Sequence, residues 1–339
     1  MIQKKTNDKV AALAVEAIRS ITNLMKRFDG FRMAQLLNES IKNPENAGKH
    51  IIGAQPLISP REFVRPGSQK VIDDKSFITA VSSSILVAWY YTRTVCCFDS
   101  DLSEELEKTE EADILVNKEQ CSRFLGSPVL IPFDEPCQID DEWDVLGVFL
   151  GAYTNSSRGI FLLCILPLMQ SIDKMQLNIG VGMCKINVDD TKKLLSLREI
   201  LTFAEGGKDV FLKRENSPLV GFDGYKSGLI KKIAYLFTET PDVKTCFSSP
   251  SPVPARRRRH PDFLFAPQRP RNMLLGQDFG EMIRQHRSTD STQAKERTEH
   301  GTVRPHIRRA HWHTYLSGHG REVRTLKWQP PIFVRAADH

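Results

Sequence analysis

The 339-residue sequence has no apolar run long enough to cross a membrane as a helix. Such a helix needs about 20 consecutive apolar residues. Serines interrupt the apolar segment Phe77–Tyr91, and the polar stretch Asn155–Arg158 interrupts Val145–Met169. The first lysines are also not followed by the apolar region of a secretory signal. We therefore expect a cytoplasmic protein with no membrane partner.

Cysteine motifs for disulfide frameworks or metal binding are also absent. The seven cysteines are odd in number, and no two have the C-x-x-C spacing. Most of them lie in apolar runs, which is typical of reduced thiols that pack as small hydrophobic side chains. Nothing in the sequence around the adjacent pair Cys96–Cys97 indicates a lowered thiol pKa, so we expect no redox role for it.

The common enzyme signatures are missing as well. The sequence contains no G-x-x-x-x-G-K-[ST] phosphate loop, no H-E-x-x-H zinc motif, no G-x-S-x-G nucleophile elbow and no G-x-G-x-x-G after a strand. No cofactor is predicted. The protein is therefore expected to be a binding protein rather than an enzyme, unless its chemistry uses none of these motifs.

Positive charge is concentrated in the last quarter of the chain. Residues 251–339 contain 17 Lys and Arg against 8 Asp and Glu, whereas residues 1–250 contain 30 against 33. Eight of the nine histidines also follow position 250. This asymmetry predicts either a basic surface for an anionic partner or a basic surface that only water contacts.

The apolar pattern of residues 1–240 predicts an α+β domain in which helices precede and follow a mainly antiparallel sheet. Apolar residues recur at helical spacing from Val10 to Phe28, and Ser76 can cap a buried helix that ends near Arg93. The acidic segment Asp99–Asp113 is predicted to be a solvated helix or loop, or an acidic contact surface. Further elements are predicted as strands at Val129–Ile131, Trp143–Tyr153, Gly159–Leu166 and Leu177–Val188, and as helices at Leu194–Ala204 and Tyr225–Thr240.

After residue 240 the composition changes. Residues 241–302 are predicted to be a Pro- and Arg-rich, partly irregular linker with a short helix at Gln277–Arg287. Residues 303–339 are predicted to be a basic β module that docks on the main domain, because about 35 residues cannot easily hold a core alone. A secondary basic patch in the linker, either solvated or bound to phosphates without sequence preference, consists of Arg256, Arg257, Arg258 and Arg259.

Strand alternation divides the basic segment RPHIRRAHWH, residues 304–313, into two faces. Side chains on a strand alternate between faces, so Trp312 points opposite to its two histidine neighbours. A turn at Ser317–Gly320 lets Val323–Trp328 pair back, and Ile332–Val334 is predicted as a third strand. The hairpin is therefore predicted to bury Trp312, Leu326 and Trp328, and to expose His311, His313 and Lys327 together.

Several kinds of site are compatible with this exposed cluster. His311 and His313, with His306 as a third ligand, have the spacing of a metal site. We predict no metal there, because the region contains no cysteine and its arginines repel a cation. In a second reading, two of these histidines act as general acid and base of a metal-independent ribonuclease, and Arg308 or Lys327 stabilises the negative charge.

Binding without catalysis is the reading that we favour, with RNA or an acidic peptide surface as the partner. Two other hypotheses for this segment remain. The protein is a DNA-binding regulator of a plasmid or phage, or the hairpin is purely structural and its histidines only form local hydrogen bonds. The residues predicted to contact RNA or another partner are Arg304, His306, Arg308, Arg309, His311, His313, Tyr315 and Lys327.

The tail VRPHIRRAHWHTYLSGHGREVRTLKWQPPIFV resembles the C-terminal signature of a family of anti-CRISPR proteins directed against type V-A CRISPR systems, the second-named inhibitor family of that group. The helix end Tyr235–Leu236, the following Pro241–Val243 and the segment Gly276–Arg284 look similar too, whereas identities elsewhere are scattered, as at Pro136–Cys137. The tail residues that carry the match are Arg304–His306, Arg308–Arg309, His311–His313, Tyr315, Gly318, Lys327–Pro330 and Phe333–Val334.

The resemblance implies an inhibitor that lowers the amount of the type V-A effector nuclease. It implies that the protein acts while the effector is synthesised, by recognising its nascent N-terminal peptide and causing loss of its mRNA. The ribosome or a host nuclease would then be further partners, in the cytoplasm of a bacterial host cell. The resemblance assigns no catalytic residue, and the diverged main domain leaves the identity of the target protein open.

Overall fold

A computed structural model gives the fold of the protein. Its helices precede and follow a mainly antiparallel sheet, so the predicted α+β class is confirmed. The structure describes residues 2–20, 81–82, 85–86, 88–110, 115–116, 118–125, 127–138, 141–155, 160–173, 176–179, 182–187, 195–196, 223–248, 267–293, 306–321 and 323–334.

Contacts divide the chain into two compact units, each made of three segments. Unit 1 comprises Met1–Cys97, Leu115–Asp223 and Phe247–Met273. Unit 2 comprises Phe98–Ile114, Gly224–Cys246 and Leu274–His339.

Helices and a sheet form the core of unit 1. Helix α1 (Ile2–Ser20) buries Val10, Ala14 and Ala17, as its apolar spacing predicts, while the predicted continuation to Phe28 lies outside the described residues. Helical residues between 81 and 92 form α2, which confirms the predicted buried helix, although its cap Ser76 is not described. In this helix Trp89 packs edge-on against Phe149 and donates its indole N–H to the backbone oxygen of Thr94 at 2.8 Å.

Seven strands of the described residues belong to one sheet with the order β6-β5-β4-β3-β1-β9, and β7 pairs with β5 off this path. The pairings from β3 through β7 are antiparallel, whereas β1 and β3 are parallel. The predicted strands are present and mostly longer, and β1 and β9 are additional. The bounds are β1 Thr94–Phe98, β3 Val129–Gln138, β4 Trp143–Asn155, β5 Ile160–Ser171, β6 Leu177–Ile179, β7 Gly182–Asn187 and β9 Arg271–Leu275.

The prediction of a helix at Leu194–Ala204 is wrong for the first residues of this segment. Residues Leu195–Ser196 form strand β8, which pairs antiparallel with β2 (Leu115–Val116). This pairing joins segments about 80 residues apart in the chain, and local apolar spacing carries no signal for it. The remaining residues of the predicted helix, 197–204, lie outside the described part of the chain.

The other helices range from 5 to 17 residues and lie between or after the strands. None of the helices in the described residues combines the length and the apolar character that a membrane crossing needs. Their bounds are α3 Ser100–Lys108, α4 Lys118–Ser122, α5 Asp223–Leu236, α6 Pro241–Ser248 and α7 Gln277–Gln293. Helix α7 begins at the predicted residue and continues past the predicted end at Arg287.

Candidate functional site

The tail of unit 2 forms two short ladders that share one register. Strand β10 (His306–Arg308) pairs antiparallel with β13 (Ile332–Val334), and β11 (His311–Ser317) pairs antiparallel with β12 (Val323–Gln329). All of these strand pairs are symmetric about Gly320, which adopts a positive φ of 70° at the turn. The predicted third strand is therefore the continuation of one long hairpin.

A pair of prolines interrupts this hairpin. The shared register places Pro331 opposite Arg309 and Pro330 opposite Ala310. Proline has no backbone N–H, so it cannot donate to the ladder at these positions. The backbone oxygen of Arg309 instead lies 3.4 Å from the ring nitrogen Nδ1 of His311.

The exposed face of β11 carries three rings in a row. His311, His313 and Tyr315 are all exposed, as alternate residues of one strand are expected to be when they share a solvent face. The ring centres of His311 and His313 are 6.5 Å apart, and those of His313 and Tyr315 are 4.4 Å apart. The predicted exposure of the two histidines is confirmed.

Side chains of β12 complete this face around Tyr315. Lys327 is exposed, pairs opposite His313 and places its ammonium 5.1 Å from the centre of the Tyr315 ring. Gln329 donates its amide N–H to the hydroxyl of Tyr315 at 2.9 Å. We call the side chains of His311, His313, Tyr315 and Lys327 the ring face.

The opposite face of the hairpin anchors the tail. Trp312, Leu326 and Trp328 are buried, as predicted, and the two tryptophans pair directly across the strands. Trp328 donates its indole N–H to the hydroxyl oxygen of Thr109 at 3.3 Å. Its ring also meets Tyr235 and Phe279 edge-on, with centres 6.1 and 5.5 Å apart. These contacts hold the ring face on a fixed support.

A hydrogen-bond network around Asp242 supports this anchor. Its Oδ2 accepts from the hydroxyl of Tyr235 at 3.0 Å and from the backbone N–H of Gly276 at 2.6 Å. Burial, with a smaller contribution from the negative charge of Asp242, raises the pKa of Tyr235, so this side chain remains a donor. Gly276 has a φ of 74°, and an added Cβ would overlap Leu102. The residues outside the tail that carry the family resemblance thus meet next to Trp328.

Helices α3 and α7 are joined by ion pairs. Arg284 on α7 lies 3.1 Å from both carboxylate oxygens of Asp99 and 2.6 Å from Asp101. Arg287 contacts Asp101 at 2.7 Å and Glu104 at 3.2 Å. Asp99 also caps α3, because its Oδ1 accepts from the backbone N–H of Asp101 at 3.0 Å.

The role of these carboxylates was missed by sequence reasoning. The acidic segment was predicted to be a solvated helix or loop, or an acidic contact surface, and α3 is indeed a helix within it. Yet Leu102 and Leu106 are buried, and the acids before and between them pair with arginines of α7. The spacing of Leu102 and Leu106 in the sequence indicates one apolar helix face, and it could have predicted that this helix is packed rather than fully solvated.

The remaining predicted site residues fall into two groups. Arg308 and Arg309 are exposed next to the ring face. Within the described residues no cluster of His, Cys, Asp or Glu has the arrangement of a metal site. Of His306 only the backbone is described, while Arg304, Arg256, Arg257, Arg258 and Arg259 lie outside the described residues.

A pocket of about 280 Å³ opens where the prolines interrupt the hairpin. Arg309 and Ala310 line it from the hairpin, and Glu105, Lys108 and Thr109 line it from the end of α3. Lys108 pairs with Glu105 at 3.2 Å, and the Thr109 hydroxyl donates to the backbone oxygen of Glu105 at 2.7 Å. The pocket thus offers both positive groups and hydrogen-bond acceptors.

Two helix glycines of unit 2 make a matched pair for testing the close approach of α3 and α7. An added Cβ at Gly280 would overlap the carboxylate of Asp99, whereas one at Gly228 would come no closer than 4.0 Å to Glu107. We expect Gly280→Ala to lower the free energy of unfolding by about 1–3 kcal/mol. Gly228→Ala should be neutral or stabilise by up to about 1 kcal/mol. Urea unfolding measures both, and equal effects would contradict the close approach.

The anchor role of Trp328 predicts an asymmetry between the two hairpin faces. Trp328→Ala should lower the free energy of unfolding by about 3–5 kcal/mol, because it removes a buried ring and leaves a cavity. His313→Ala, on the exposed face, should change it by less than about 0.5 kcal/mol. Urea unfolding of both variants and near-UV circular dichroism check this. A large loss in His313→Ala would show that the ring face is structural.

Comparison with known proteins agrees with the tail signature. The sequence model of the AcrVA2-like family, described as the anti-CRISPR type V subtype A2 family, matches residues 96–336. A solved structure entitled "Crystal structure of AcrVA2" has a similar fold, with a TM-score of 0.51 and 14% sequence identity over 95% of this chain and 97% of that chain. No curated protein matches the sequence. Since the family match spans more than half of the chain, the protein belongs to the AcrVA2-like family of type V-A anti-CRISPR proteins.

Proposed function

We propose that the protein lowers the amount of a type V-A effector nuclease while that nuclease is being synthesised. Membership of an anti-CRISPR type V subtype A2 family makes a type V-A CRISPR system the target. In this proposal the protein recognises the nascent N-terminal polypeptide of the effector and causes loss of its mRNA. The observation that carries the RNA part is the ring face, whose aromatic and cationic groups point away from the anchored side of the hairpin.

The chemistry of the ring face suits RNA. Exposed aromatic rings bind the faces of unstacked bases, and neighbouring cations bind phosphates. His311, His313 and Tyr315 supply the rings, while Lys327 supplies a cation at the same face. Arg308 and Arg309 add positive charge at the start of β11. In this proposal other surfaces recognise the nascent peptide. These surfaces belong to the near-neutral part of the chain, residues 1–250.

A coexpression experiment tests the proposal. With the effector gene expressed from a fixed promoter, the protein should lower both effector transcript and effector protein several-fold. A synonymous recoding of the first codons, which keeps the peptide, should leave this loss intact. A frameshift confined to the same codons, which changes the peptide but preserves most of the RNA, should abolish it. Normal transcript and protein levels together with lost interference would instead indicate direct inhibition of the effector.

The spacing of the two histidines supports a second candidate, a metal-independent ribonuclease. Their ring centres are 6.5 Å apart on an open face, and Lys327 pairs across from His313. A general base and a general acid must lie on opposite sides of the reacting phosphorus, each within hydrogen-bond distance of an oxygen. A phosphate between two imidazoles at this distance would lie within reach of both, and the lysine can stabilise negative charge on the phosphate.

Cleavage of RNA by the purified protein tests the second candidate. In the presence of a chelator, the protein should cut single-stranded RNA, and His311→Ala and His313→Ala should each reduce the rate by about 100-fold or more. Lys244→Gln is the matched control, since it removes one exposed positive charge elsewhere in unit 2. Intact RNA after prolonged incubation at saturating protein would eliminate the ribonuclease and leave the binding role.

A further inference from the structure

We propose that the hairpin binds a short unpaired stretch of RNA, with one base in the pocket at the proline interruption and the following bases stacked along His311, His313 and Tyr315. This deepens the RNA contact proposed above and rests on it. The binding track runs from Arg309, two residues before β11, to Tyr315 within that strand. Its length selects about four nucleotides, one for the pocket and one for each ring.

The spacing of the rings selects unpaired RNA over a duplex. The ring centres of His311 and His313 are 6.5 Å apart, and those of His313 and Tyr315 are 4.4 Å apart with their planes steeply inclined. Bases in a duplex are stacked on one another, and no base face remains for a protein ring to contact. A row of rings can therefore stack only with bases that have been splayed apart. The open, strongly exposed side of β11 leaves room for this.

Charge around the track matches a phosphate backbone. Residues 306–334 contain five Lys and Arg and a single acidic residue, Glu322. Lys327 is placed over the ring of Tyr315, while Arg308 and Arg309 stand at the other end of the track. Cations at both ends can contact phosphates while the rings between them hold the bases.

The pocket has the size and polarity of a base-binding position. At about 280 Å³ it is smaller than the roughly 300–1,000 Å³ of pockets that take drug-sized ligands. The carboxylate of Glu105 disfavours a phosphate inside, and the mixture of Lys108, Thr109 and Glu105 disfavours an apolar side chain. A base edge presents both donors and acceptors, so it can satisfy such a lining. The two prolines lie opposite Arg309 and Ala310 in the shared register and supply no ladder donors there.

An acidic peptide is the competing occupant of this surface. Carboxylates would satisfy Lys327 and the arginines, but they would make no use of the exposed aromatic faces beside these cations. Base stacking uses those faces and contributes to affinity at each ring. RNA therefore accounts for both the charge and the rings, whereas a peptide accounts for the charge alone.

Fluorescence anisotropy with the full-length protein tests the proposal. The probes are a labelled eight-nucleotide single-stranded RNA, the same sequence annealed to its complement, and a labelled oligoglutamate peptide. We expect the single strand to bind at least tenfold more tightly than the duplex and the peptide. Equal binding of the duplex, or tighter binding of the peptide, would overturn the proposal.

Variants separate stacking from charge attraction. Tyr315→Ala and His313→Ala should each weaken binding of the single strand about five- to 100-fold, because each removes a stacking ring. Tyr315→Phe keeps the ring and should stay within about threefold of the unmodified protein. Lys244→Gln, a charge control in the same unit, should do likewise. Near-UV circular dichroism verifies that each variant retains the anchored hairpin.

Abasic positions in the probe test the number of bases held. Replacing one nucleotide at a time by an abasic site should weaken binding at about four consecutive positions and nowhere else. Equal affinity for all of these probes would show that only phosphates are bound, and it would refute the pocket and the stacking track together. The coexpression experiment is independent, since binding of unpaired RNA with unchanged effector transcript would refute transcript loss alone.

Discussion

The indole of Trp328 is the contact on which the candidate site depends. It donates to Thr109, meets the rings of Tyr235 and Phe279, and pairs across the hairpin with Trp312. A two-stranded hairpin is at best marginally stable alone, so this buried face determines whether the tail is ordered. Because strand side chains alternate, anchoring one face also determines which groups the other face presents.

The surroundings of Trp328 are built from distant parts of the sequence. Asp242 joins the α5–α6 corner to Gly276, and Asp99 joins the start of α3 to Arg284 on α7. Exposed ion pairs contribute little individually, so the close approach at Gly276 and Gly280 matters more than the charges alone. The family signature therefore describes one packed neighbourhood rather than a linear motif.

Local patterns predicted the hairpin and its two faces, because alternation within a strand needs no knowledge of the partner. They also predicted the long antiparallel strands and the start of α7. What they could not predict depends on distant pairs: Arg284 meets Asp99 across 185 positions, and Leu195–Ser196 pairs with Leu115–Val116. The proline interruption was visible in the sequence, but the pocket beside it required the end of α3.

The shared register of the tail has a consequence for how this segment can evolve. Since every pair is symmetric about Gly320, deleting a single residue from one arm would shift the pairing by one position. A shift of one position exchanges the two faces of a strand, so tryptophans would turn to water and histidines to the core. Changes of length are thus tolerable at the turn or in matched pairs across the arms. Arm length is as strongly constrained as residue identity.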